Sequence, residues 1–84
     1  MEKLIGKITH YFGKIGVAVL EMIDDELKIG DTIHIKGKTA DFNQTVSSMQ
    51  VDRKPVEQAK KGDSVGLKVD QLVHEHDEVF KVTT

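Results

Sequence analysis

The sequence predicts an all-β fold, a single six-stranded antiparallel closed β-barrel over residues 1–84. The apolar residues are mostly β-branched, with ten Val and seven Ile against five Leu, three Met and three Ala. Such side chains suit a pleated surface better than a helix. Turn residues recur at short intervals and cut the chain into segments of strand length. At 84 residues there is room for one core and so for one domain.

Taken in order, Gly13-Lys14-Ile15-Gly16 separates a strand over Leu4–Tyr11 from one over Val17–Met22, as a glycine-containing hairpin loop does. Asp24-Asp25-Glu26 reads as a solvated loop, and Gly30-Asp31 turns the chain into Thr32–Lys36, where Ile33 and Ile35 alternate with polar residues. Gly37–Asp41 is the next turn, and a long strand follows through Asn43–Val51 until Arg53-Lys54-Pro55 ends it. Beyond Pro55, residues 56–60 allow a single helical turn at most. Gly62-Asp63 opens the strand Ser64–Val69, with Val65, Leu67 and Val69 on one face, and Glu78–Val82 supplies the sixth. A helix over Val17–Lys28 is the main competitor, because Ala, Leu, Glu and Met there favour it. Ile29-Gly30-Asp31-Thr32-Ile33 and Lys61-Gly62-Asp63-Ser64-Val65 share a Gly-Asp turn followed by a hydroxyl and a β-branched residue. This is one turn design used twice, without the period of a solenoid.

Composition narrows the function classes. Without cysteine there are no disulfides, thiolate metal sites or thiol nucleophiles. The N-terminus lacks the apolar stretch of a signal peptide, and Val17–Leu20, the longest apolar run, is too short to cross a bilayer, so a cytoplasmic location without membrane contact is expected. A net charge of −2 argues against a whole face devoted to nucleic acid. No Gly-x-x-x-x-Gly-Lys-Ser/Thr loop and no Gly-x-Ser-x-Gly elbow is present, so the chain by itself binds no nucleotide through a P-loop and has no hydrolase nucleophile of that type. No enzyme activity and no cofactor are expected.

Four clusters invite chemistry. His74 and His76 would share a side if extended, and His10 or His34 would have to complete a zinc site; polar loop residues are the simpler account. Asp24-Asp25-Glu26 lacks the ligand spacing of a calcium loop. Tyr11 and Phe12 beside Lys14 offer a stacking platform, or a hairpin end packed on the barrel. Antiparallel pairing of the third and fourth strands would bring Lys28 towards Arg53 and Lys54, with Lys60 and Lys61 in the connection that follows, as a local patch for phosphates or a partner.

The order of motifs from Leu27 onward resembles the second domain of the translational GTPases, the β-barrel that follows the nucleotide-binding domain in elongation factor Tu and its relatives. Leu27–Ile33 resembles the lead-in to that barrel's third strand, Val46–Gln50 its following strand, and Ala59-Lys60-Lys61-Gly62-Asp63-Ser64-Val65-Gly66-Leu67 the stretch that closes its loop. The resemblance covers residues 5–82 and implies strands in place of the helix, with no catalytic residue transferred. Where the family has a Gly-Arg-Val stretch this chain has Leu20-Glu21-Met22, and the GTPase domain and third barrel are missing. What the resemblance implies is a non-catalytic module that contacts RNA, the ribosome or a translation-related protein. The alternative is an accessory barrel docking onto a separate enzyme, since similar barrels occur as C-terminal modules of collagenase-like peptidase relatives that act on RNA.

Overall fold

The computed structural model describes residues 1–83. They form ten strands and no helix: β1 Glu2–Phe12, β2 Val17–Met22, β3 Glu26–Lys28, β4 Thr32–Lys36, β5 Asp41–Thr45, β6 Met49–Val51, β7 Lys54–Pro55, β8 Gln58–Lys60, β9 Ser64–Lys68 and β10 Glu78–Val82. All pairings are antiparallel. Eight strands form one sheet in the order β5-β4-β10-β1-β2-β9-β6-β7, and β3 and β8 form a separate ribbon. The all-β expectation holds, and residues 17–22 are strand where helix propensity competed, because tertiary pairing on both sides outweighs it.

The six-stranded closed barrel does not. The end strands β5 and β7 have no pairing with each other among the described residues, so the sheet is open. The expected strand Asn43–Val51 is two strands, since β5 stops at Thr45 and β6 pairs with β9 and β7. Val46 leaves the ladder to bond the turn between β3 and β4. Asp52 and Arg53 both adopt positive φ, at 54° and 65°, which closes a tight hairpin between β6 and β7. Residues 58–60, expected to be helical at most, pair with β3 instead. Pro55 lies in the edge strand β7, where a missing N–H breaks no inner ladder.

Alternate residues of the strands face one core. Ile5, Ile8, Leu20, Ile33, Val65 and Leu67 are fully enclosed, and Leu27 and Ala59 carry the ribbon's inner face into the same cluster. The total accessible surface is 5387 Å², near the ~5,000 Å² that surface scaling gives for this mass.

The repeated turn is the same structure in both places. Gly30 and Gly62 each have φ 95°, a conformation that side chains with a Cβ rarely adopt. In the first copy the Lys28 N–H donates to Asp31 Oδ2 at 2.9 Å, and the Asp31 N–H to the Lys28 carbonyl at 3.0 Å. The second copy repeats this with the Lys60 N–H on Asp63 Oδ2 at 3.0 Å and the Asp63 N–H on the Lys60 carbonyl at 3.0 Å. The first turn clasps Val46 and the second clasps Met22: each glycine N–H donates to the clasped residue's carbonyl, and that residue's N–H donates to the aspartate carbonyl. The halves β3-turn-β4 with β5 and β8-turn-β9 with β2 are therefore related by approximate two-fold symmetry, β3 and β8 pairing across it.

Candidate interaction site

A groove of about 910 Å³ opens beside the first turn, between Lys28-Ile29, Ser47–Met49 and the connection from β7 to β8. Buried Met49 and half-buried Val56 form its apolar floor. Ile29, 42% exposed, stands at its edge, where its N–H donates to the Glu57 carbonyl at 3.0 Å. Lys28 enters the groove, but its Nζ lies 3.5 Å from Glu26 Oε1, and the Gln58 side-chain amide donates to the other oxygen of that carboxylate. The site is thus apolar below and charge-balanced at its rim.

Of the five basic residues expected to act together, Lys28 alone lines this groove. Lys60 lies opposite Glu26 on the ribbon. Arg53 is at the β6–β7 hairpin tip, Lys54 on the edge strand and Lys61 in the second turn. The groove's apolar contributors, Ile29, Met49 and Val56, are not legible in the sequence: they lie far apart along the chain, and Val56 sits in a connection for which the sequence allows a single helical turn at most.

A second cavity of about 540 Å³ lies between the β4–β5 turn and the loop 74–77, lined in part by Lys7, Lys36, Lys38, His74 and His76. Asp77 is its buried anchor, accepting the His74 N–H on Oδ2 at 2.9 Å. His76 has φ 74°, so the alternation that would set His74 and His76 on one side is broken. His10 is 3.8 Å from Glu75, and His34 is on the sheet's outer face. Among the described residues no group of three or more His, Asp or Glu is placed to hold a metal ion.

His34 is better partnered than any other histidine. Its Nδ1 lies 2.9 Å from both oxygens of Glu2, its Nε2 contacts Asp41, and its side chain is only 16% exposed. The hydrogen bond to Asp41, then that to Glu2, raises its pKa above the ordinary 6.5. In the acidic loop, the Glu26 N–H donating to Asp25 holds that carboxyl below its ordinary value, and Lys3 lies 3.6 Å from both Asp24 and Asp25. Phe12 is 52% exposed, with the His10 ring stacked at 6.4 Å, while Tyr11 packs against the core.

No protein-family model matches the chain. It is 48% identical over 77 residues to an uncharacterized protease of Methanocaldococcus jannaschii, a match that takes in 90% of this chain and 19% of that protein. It is 35% identical over 78 residues to a collagenase of Porphyromonas gingivalis, 92% of this chain and 22% of that protein. The chain therefore spans about a fifth of the length of these curated relatives. Among solved structures it superposes on the C-terminal domain of a putative U32 peptidase from Geobacillus thermoleovorans with a TM-score of 0.88 at 17% identity, covering 96% of this chain and 93% of that one. A selenomethionine variant of the same domain gives 0.85 at 16%. At such identities the likeness is one of fold.

These matches overturn the resemblance to the translational GTPases, and the translation-factor, ribosome and RNA-binding expectations fall with it. The reason is physical. The motifs that carried the resemblance are the two Gly-Asp turns and the strand glycine Gly66; the turns specify how a chain reverses, Gly66 sits at ordinary contact distances, and no partner is encoded in them.

Proposed function

We propose that this chain is a non-catalytic accessory domain of the kind found in collagenase-like peptidases, and that it works by docking onto a catalytic domain. The observation that carries the reading is the match of nearly the whole chain to about a fifth of a protease and of a collagenase. Recurrence of the segment within longer proteins named as a protease and a collagenase, and its likeness to a C-terminal peptidase domain solved by itself, support a unit that folds apart from the catalytic one. Consistent with this, the polar residues serve the fold: Asp31 and Asp63 close turns, Gln44 bridges Lys68 and Asp70, and Asp77 anchors a loop. Lys28 and the apolar groove beside it are the contact surface in this reading.

The test is to mix the purified chain with the M. jannaschii protease relative lacking its matching segment, and to follow association by sedimentation velocity. A complex at micromolar concentrations, with no hydrolysis of gelatin by the chain alone, is expected. Absence of any complex at about 100 μM, or gelatin hydrolysis by the chain alone, sinks the reading.

A further inference from the structure

The two-fold repetition has one unequal place. In the second copy, the strand that the turn clasps is β2, flanked by β9 on one side and β1 on the other. The two residues after its clasped Met22, Ile23 and Asp24, donate their N–H groups to the Ile5 carbonyl of β1, at 2.8 and 3.2 Å. In the first copy the equivalent strand is β5, flanked by β4 on one side and by no strand of the described residues on the other. The residues after its clasped Val46 are Ser47 and Ser48, both exposed, and neither donates a backbone N–H to any described residue. Among the described residues, none holds in the first half the place that β1 holds in the second.

The free edge has the form of a strand acceptor. The Gly37 N–H donates to the Ala40 carbonyl at 2.7 Å, so the alternation of an antiparallel hairpin spends Phe42 and Gln44 on β4 and turns Asp41, Asn43 and Thr45 outward. Over its five residues β5 has no proline and a single charge, Asp41. The opposite edge, β7, is guarded by Pro55 and by Lys54, with Arg53 at its tip. Charge says what fits at β5. Directly paired residues place Asp41, Lys36, Glu78, Lys7 and Glu21 side by side across β5, β4, β10, β1 and β2. The signs alternate from strand to strand, and the row ends at the free edge on an acid. A second copy of β5 would bring only a further Asp41 to that edge, and no cation.

We infer that β5, continued through Ser47 and Ser48, is a strand-addition site for an extended segment of a partner protein. That segment runs antiparallel to β5, carries Lys or Arg at the rung beside Asp41, and is apolar on the face beside Phe42. Its carbonyl takes the Ser47 and Ser48 N–H groups as Ile5 takes those of Ile23 and Asp24. This deepens the docking reading above and rests on it only for the identity of the partner.

The probe is the acetylated and amidated peptide Thr-Val-Thr-Val-Thr-Val-Lys-Val, in which antiparallel pairing with Lys beside Asp41 carries the N-terminal residues past Thr45 to Ser47, added to isotope-labelled chain while amide exchange is followed by NMR. Exchange at Asn43 and Thr45 slows about fivefold or more, the Ser47 and Ser48 signals shift, and a peptide with Glu for Lys is about tenfold weaker. Asn43→Pro abolishes the protection while the melting temperature stays within a few degrees. Should that variant not fold, Asp41→Lys decides instead by reversing the preference between the two peptides. No protection by either peptide, or protection that appears in the chain alone as its concentration rises, overturns the inference. If Asn43→Pro leaves binding of the truncated protease intact, the edge is ruled out as the docking site and the docking reading stands. Peptide protection without protease binding has the reverse meaning.

Discussion

Gly37 shows how one atom's absence positions a loop. A Cβ at this position would lie 1.9 Å from Asp77 Oδ1, inside any van der Waals contact, and Asp77 is buried and cannot step back. Gly37→Ala therefore costs about 2–4 kcal/mol, read as a fall in the urea midpoint at unchanged m-value. Gly66→Ala meets only contacts of 3.8 Å and beyond and serves as the tolerated comparison. His34 works by charge. As imidazolium it donates from both ring nitrogens, to Glu2 and to Asp41; as neutral imidazole it donates from one, and the other carboxylate faces a lone pair. Lys36, two residues along β4 and paired with Asp41, is the cation on the same face, while Asn43 and Phe80 flank the ring in register without charge. Its folded pKa is raised above 6.5, so the stabilisation is fully present below about pH 6.5 and is lost as pH rises through the higher folded value. Melting temperatures measured from pH 5.5 to 9 should fall in that window for the native chain, and His34→Gln should flatten that component.

At the scale of elements, opposite charges across the ladder replace a network of tight ion pairs. Lys7 stands between Glu78 and Glu21, and directly opposed pairs of this kind contribute about 0.2–1 kcal/mol each. Lys7→Glu sets three acids in a row and lowers the melting temperature by about 4–8 °C for a loss near 1 kcal/mol. Adding Glu21→Lys recovers part of the loss, which a defect in packing at Lys7 would not. The twin turns are the second device at this scale. A Gly-Asp pair supplies both the positive φ and the side-chain acceptor for the N–H three residues back, and each turn then clasps a strand that is distant in sequence.

For the whole molecule the question is what joins the β3–β8 ribbon to the main sheet. Leu27 and Ala59 supply its apolar attachment, the two turn clasps hold its ends through backbone hydrogen bonds, and Lys81 adds a side-chain tie. From β10 its Nζ donates to the Glu26 carbonyl at 3.1 Å and lies 3.8 Å from Asp31 Oδ2, with the side chain 17% exposed. Lys81→Ala strands those acceptors and costs about 1–3 kcal/mol. Amide exchange should accelerate in β3 and β8 more than in β1 and β2, because the ribbon loses its tie while the sheet keeps its ladder. Uniform acceleration throughout would mean that the ribbon and sheet open only together.

The sequence by itself determined the all-β class, the places of strands β1, β2, β4, β9 and β10 to within a residue or two, and the twin Gly-Asp turns. Those are local properties, written in β-branched alternation and in the few residues that tolerate a turn. Only the tertiary structure decided the open sheet, the split of residues 43–51 into two strands and the ribbon at residues 58–60, each of which depends on which distant backbone offers a partner. The groove shows the same dependence, since Ile29, Met49 and Val56 meet only once the ribbon has folded over the sheet. So do the carboxylates on His34, one of them 32 residues away, and the free edge of β5, a missing neighbour that shows only against the half in which β1 fills its place. Hydrogen bonds between strands are satisfied by position in space, and no pattern along the chain records which of them is left unmade.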